Sequence, residues 1–151
     1  MLLSTMTEHQ NSSKWKNVWS HDSLPKVNFF IWTLVPEKIL TGENLMKRGF
    51  HDPFKCPLFQ SSQDNIHHLF WNRPFSQTVW KIAYGDLSRK IRWPSTPNPS
   101  LGNWDKYYQG SFKEKPVMKS IWRVVPKFVY WQIWLARNKK KIRELSLPLK
   151  L

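Results

Sequence analysis

The chain has 151 residues, a single cysteine, and 24 lysines and arginines against 10 acidic residues, for a formal net charge of +14. That length accommodates one compact domain, or one small domain with an appended helix, and one cysteine excludes an internal disulfide framework. Residues 1–13 lack the basic start and apolar core of a secretory signal, and the longest apolar run, 27–35, is interrupted by Asn28 and Thr33 and falls far short of the roughly 20 residues of a membrane span.

Residues 1–13 are polar and read as a disordered N-terminus. A helical domain is expected over 14–85. In it Trp15 and Trp19 share one helix face, and Pro25 suits the first turn of the next helix, where its missing N–H costs nothing. The apolar residues from Val27 to Leu34 are too continuous for one stripe and predict a helix buried on most sides. Thr41 reads as the N-cap of a helix over 42–48. Glu43 lies near its positive end, Lys47 and Arg48 near its negative end, and Gly49 at the left-handed position beyond. Residues 51–65, with Pro53, Pro57 and a polar run, read as loop. Residues 66–72 form a short apolar helical segment, and Pro74 opens a helix whose face is Phe75, Val79 and Ile82 or Ala83, ended by Gly85.

Residues 86–116, rich in proline, glycine and serine, read as a linker. Helix returns over 117–145, where Val124, Phe128, Trp131, Leu135, Asn138 and Ile142 step by fours and threes, the mark of an amphipathic face. Pro126 is expected to kink or split that helix near Val125. Residues 146–151 are a short tail. No alternating pattern is long enough to read as a strand. The expected fold is all-α: a small irregular helical domain, a Pro-rich linker and a long kinked C-terminal helix.

The stretch from Trp15 to Trp80 carries a series of separate blocks: Trp15 and Trp19, Pro25–Trp32, Ile39–Gly49, Cys56, His67–Phe70 and Pro74–Trp80. In these it resembles the zinc-binding domain that follows the polymerase region in plant non-LTR (LINE-type) reverse transcriptases, over about half the chain. Further on, Trp131, Trp134, Arg137 and Asn138 resemble a W-x-x-W-x-x-R-N element found downstream of that domain in the same proteins. The resemblance implies a domain that helps the polymerase engage its template.

In the family pattern the positions of Phe59 and Arg73 would each carry a cysteine, so Cys56 and His68 are the surviving half of a metal frame. Structural zinc asks for four Cys or His ligands. Phe59 offers no lone pair, and Arg73 brings a permanent positive charge where a divalent cation needs a negative one. His51, Asp52, Asp64 and His67 lie nearby, none at the required spacing. Cys56 and His68 are therefore read as vestigial, the first as a small buried hydrophobe and the second as a hydrogen-bonded histidine. No cofactor is expected, zinc being the one candidate.

Catalysis finds no foothold. The chain has no paired carboxylates for two-metal phosphoryl transfer; Tyr84-Gly85-Asp86 supplies one acid only. There is no G-x-S-x-G and no glycine-rich phosphate loop. Cys56 with His67 or His68 could be drawn as nucleophile and base, but a broken metal frame accounts for the same residues with less invention. No catalytic residue is assigned and the chain is not read as an enzyme.

Residues 113–151 hold eleven basic residues and two acidic ones, +9 of the +14. Arg137, Lys139, Lys140, Lys141 and Arg143 could line phosphates, and an exposed Trp134 could stack on unpaired bases. Against this, the helical stripe already assigns Trp131 to a packed face, and cations at a helix C-terminus also complement its dipole. The leading reading is a non-enzymatic fragment derived from a retroelement reverse transcriptase, binding RNA or DNA with low specificity through its basic C-terminal helix. The rivals are a protein-interaction module packing through its aromatic face, and a degenerate fragment with no selected function. Nucleic acid is the expected partner, a protein partner the alternative, and a membrane is not expected. The expected location is intracellular, nuclear or cytoplasmic.

Overall fold

The computed structural model describes residues 15, 18–19, 22–51, 55–56, 59–85 and 116–146. The expectations for residues 1–13, for the linker over 86–115 and for the tail beyond 146 lie outside the described residues. Helix α1 spans Pro25–Leu34, α2 Gly42–Lys47, α3 Pro74–Tyr84 and α4 Pro116–Ser146, with a π-helical turn at His68–Asn72. The architecture is all-α. The short antiparallel hairpin of β1 (Lys55–Cys56) and β2 (Phe59–Gln63) stands where the sequence reads as loop. In it Cys56 faces Phe59 across the ladder, so two positions of the metal frame are cross-strand partners. No helix among the described residues is long and apolar enough to cross a membrane.

Local chemistry explains most of the boundaries. Trp19 donates to the Trp15 carbonyl at 3.1 Å, a single helical turn that buries Val18. Pro25 stands at the start of α1. Thr41 Oγ1 accepts the Asn44 N–H at 3.3 Å, capping α2, and Lys47 reaches back to Glu43 at 2.8 Å. Gly49, with φ of 86°, follows in the left-handed region where a side chain would be strained. The π-helical turn exposes carbonyls that an α-helix would occupy, and α3 supplies the missing donors. Ser76 Oγ donates to the Leu69 carbonyl at 2.6 Å, Trp80 Nε1 to Phe70 at 3.0 Å and Gln77 Nε2 to Trp71 at 3.3 Å.

The core is built from Val27, Phe30, Ile31 and Leu34 of α1, Leu69 and Phe70 of the π-helical turn, Trp80 and Tyr84 of α3, and Trp122, Val129, Tyr130 and Ile133 of α4. Its centre is a run of rings. Trp71 stacks on Trp80 at 4.9 Å and 8°, Trp80 on Tyr84 at 6.0 Å and 6°, and Tyr84 meets Trp122 at 4.8 Å. Tyr130 sets its ring edge-on to Phe70 and Trp80, at 4.9 and 5.2 Å. These offset-stacked and perpendicular geometries are the ones the ring quadrupole favours.

Helix α4 is thus part of the core, packed against α1, α3 and the π-helical turn. It runs unbroken through Pro126. Its inward face also differs from the expected stripe: Trp122, Pro126, Val129, Tyr130, Ile133 and Arg137 are buried, while Leu135 and Ile142 are exposed. Helix α3 departs in the same way, burying Ser76, Trp80 and Tyr84 and leaving Phe75 and Ile82 outside. On α1 the expectation of burial on most sides fails at two positions, since Phe29 is 57% and Trp32 43% exposed. On α3 and α4 part of the polar residues that go inward meet partners there: Ser76 and Trp80 donate to the π-helical turn and Arg137 pairs with Asp64.

Candidate functional site

The most heavily charged part of the interior is centred on Asp64, just after β2. Its side chain is 2% exposed, yet it faces two guanidinium groups. Arg137 of α4 pairs through Nη2 with Asp64 Oδ2, and Arg73, between the π-helical turn and α3, stands 3.8 Å from Oδ1. The backbone N–H of Gly42 donates to Oδ2 at 2.8 Å, and Glu43 N–H donates to the Asp64 carbonyl at 3.1 Å. One carboxylate therefore ties the start of α2, the end of the π-helical turn and the middle of α4 together across 73 residues of sequence.

Arg137 is held further by its own neighbours. Its Nη1 donates to Asn138 Oδ1 at 2.8 Å, and its guanidinium lies over the Trp134 ring at 4.8 Å. Trp134 stacks on Phe30 at 5.8 Å, and Trp131 meets the same ring edge-on at 5.3 Å. The four residues of the W-x-x-W-x-x-R-N element thus form a clamp: two indoles grip α1 and the arginine reaches the carboxylate behind it.

Histidine 68 is half-buried at the start of the π-helical turn, where its backbone N–H donates to Asn65 Oδ1 at 2.7 Å. Burial lowers its pKa from the ordinary 6.5; the positive charge of Arg73 adds to that, while Asp64 opposes it. The side chain of Cys56 lies outside the described residues. The described residues around His68 do not make a tetrahedral zinc site. Arg73 is buried, and its positive charge adds to burial in lowering the His68 pKa, so a permanent cation stands beside the histidine of the frame. Asp64, the nearby anion, is already committed to both arginines and to α2. Among the described residues no group of three His, Cys, Asp or Glu side chains could hold a metal ion.

The residues assigned to phosphates on sequence grounds divide in two. Arg137 is 3% exposed and committed to Asp64, which takes it out of the solvent-facing set. Lys139, Lys140 and Arg143 are exposed, and Lys141 is half-buried. Trp134 is half-buried, with Phe30 and Arg137 against its ring. Sequence reasoning missed Asp64 and the outward rings of Phe29 and Trp32. The signal for the first was available: Asp64 is the only acid between Asp52 and Asp86 in a strongly basic chain. The rings had no such signal, because periodicity cannot separate the faces of a segment that is apolar all round.

A third buried cation, Lys127, lies where α4 meets the start of α1 and the residues before it. Lys127 Nζ donates to the Val18 carbonyl at 3.1 Å and lies 3.5 Å from Ser23 Oγ and from Asn28 Oδ1. Burial lowers its pKa below the ordinary 10.5, with Asp22 pulling the other way. It fastens the N-terminal turn to the long helix.

Comparison with known proteins gives one finding. The family model described as zinc-binding in reverse transcriptase matches residues 2–80, slightly more than half the chain. No curated protein and no solved structure gives a significant match. The matched region is an accessory domain of reverse transcriptases rather than their catalytic part. The matched span contains Asp64, His68 and Arg73, and on this ground the chain belongs to the family of reverse-transcriptase zinc-binding domains.

Proposed function

We propose that the chain is a degenerate, non-catalytic relic of a plant LINE-type retroelement protein, and that it binds RNA or DNA with low sequence specificity through the basic end of α4. The observation that carries this reading is the contrast along one helix. Arg137 is drawn inward as an anchor, and the cations immediately after it, Lys139, Lys140 and Arg143, face solvent. A rigid helix thereby presents a short row of positive charge with its base fixed in the core. Contacts of that kind read phosphates and carry no base information. The scaffold in this reading persists without a competent zinc site, and the protein acts inside the cell, in nucleus or cytoplasm.

The test is a salt titration of the full chain with a labelled oligonucleotide. Three phosphate contacts on duplex DNA predict a plot of log K against log salt with a slope of about −3. Replacing Lys139, Lys140 and Lys141 by Glu should flatten that slope and weaken binding for every sequence alike. A salt-independent affinity, or a triple variant that binds like the parent, refutes the reading. A second reading, a module that packs against a protein partner, is favoured by the outward Phe29 and Trp32. It predicts association that salt barely touches. If neither behaviour appears, the chain is a relic with no selected function.

A further inference from the structure

A trough of about 580 Å³ lies between α1 and α4, bounded on α4 by Trp131 and Trp134, before the basic residues that end the helix. Its walls include the rings of Phe29, Phe30, Trp131 and Trp134, and its lining includes two lysines, Lys26 and Lys38, and no carboxylate. Both lysines are exposed, one near the start of α1 and the other beyond its end, so they flank a helix about 15 Å long. Phe29 turns its ring outward, tilted against the likewise outward Trp32 at 5.7 Å, whereas the rings deeper in the trough are held by one another and by Arg137.

An apolar trough alone fits many occupants, and the charge decides among them here. A protein segment burying its own apolar face would leave Lys26 and Lys38 without anionic partners unless it brought acids at both ends. A nucleic-acid strand brings an anion at every nucleotide and a flat apolar face at every base. Base–aromatic stacking beside cations that track the backbone is the recognition mode of single strands, because in a duplex the base faces are already occupied. We propose that the α1–α4 trough seats unpaired bases of a single-stranded nucleic acid, with Phe29 as the open stacking platform and Lys26 and Lys38 on the phosphates. The inference rests on the nucleic-acid reading above and names a second set of residues in the binding surface. It turns a helix end that grips any polyanion into a surface that distinguishes single strands from duplexes.

The experiment compares a fluorescein-labelled oligothymidylate with a duplex of the same length, by anisotropy, on the full chain. Three variants are measured: Phe29→Ala, the pair Lys26→Glu with Lys38→Glu, and the Lys139–Lys141 triple Glu replacement. All the altered residues of the first two variants are exposed, and thermal melts matching the parent verify the fold. The parent should prefer the single strand by about 5-fold or more, the lower bound for one stacked base. Phe29→Ala should remove that preference and leave duplex affinity within about 2-fold, since phosphate contacts made elsewhere are untouched. The lysine pair should weaken the single strand more than the duplex, and the triple variant should weaken both. Equal binding of the two probes, with Phe29→Ala indistinguishable from the parent, overturns the trough proposal while the basic-helix reading stands. No binding of either probe overturns both. Self-association abolished by Phe29→Ala assigns the trough to a second copy of the chain and likewise overturns the proposal.

Discussion

Replacing Asp64 by asparagine keeps the shape of the side chain and one acceptor oxygen while removing the carboxylate that, among the described residues, faces both guanidiniums. The Gly42 N–H, 2.8 Å from Oδ2, can still be satisfied by an amide oxygen. The guanidiniums of Arg73 and Arg137 cannot, because both are buried and both are permanently charged. Breaking a buried pair so that a charge is left uncompensated destabilises by about 3–5 kcal/mol. For a chain of this length about 1 kcal/mol moves the melting temperature by about 2–4 °C, so the expected loss is on the order of 10 °C. Far-ultraviolet circular dichroism during a thermal ramp, repeated in urea, reads it directly. Lys47→Ala is the control. Its pair with Glu43 is close, at 2.8 Å, but exposed, and such pairs contribute about 0.5 kcal/mol or less. An Asp64→Asn variant melting within about 2 °C of the parent would show that this carboxylate does not hold the two arginines, and the account of the interior would fail with it.

Three further outcomes are expected. Purified protein should carry less than about half an equivalent of zinc by elemental analysis, and a chelator should leave its melt unchanged, since a tightly bound structural zinc holds four ligands and among the described residues not even three candidate ligands come together; one zinc held per chain would refute this. Trp80→Ala should cost about 3–5 kcal/mol in urea unfolding, because it removes the ring between Trp71 and Tyr84 and strips the Phe70 carbonyl of its donor; a loss under about 1 kcal/mol would remove Trp80 from the centre of the core. Lys127 sheds its proton more readily when folded than when unfolded, so the folded state gains relative stability as pH rises through its lowered pKa towards 10.5. The urea midpoint of the parent should therefore climb relative to Lys127→Met over that window, and a constant or falling difference would contradict the burial of the ammonium.

The parts of the fold legible in the sequence were those set by local chemistry. Thr41 caps α2, Pro25 and Pro74 open their helices, and Gly49 and Gly85 close theirs with positive φ. None of these needs knowledge of what lies across the core. What sequence reading misplaced was rotation about the helix axis. On α4 the expected stripe counted apolar residues, while the buried face includes Lys127 and Arg137, whose heads are satisfied by Val18, Ser23 and Asn28 in one case and Asp64 in the other. A polar side chain belongs inside only when its partner is there, and those partners lie between 73 and 109 residues away. The same blindness put Arg137 among the phosphate contacts and left Asp64 unassigned. The hairpin over 55–63 was missed for a different reason: strands of two and five residues are too short for an alternating pattern to register.

The bond from Lys127 to the Val18 carbonyl bears on how much of the chain is needed for a folded piece. A version starting at residue 22 would retain every helix from Pro25 onward and, judged by its secondary structure, would look complete. It would nonetheless take from the Lys127 ammonium the Val18 carbonyl it donates to and remove a buried core side chain. Trimming the front of this protein back to residue 22 should therefore lower its stability even though no helix from α1 onward has been cut, and a stable piece should keep Val18.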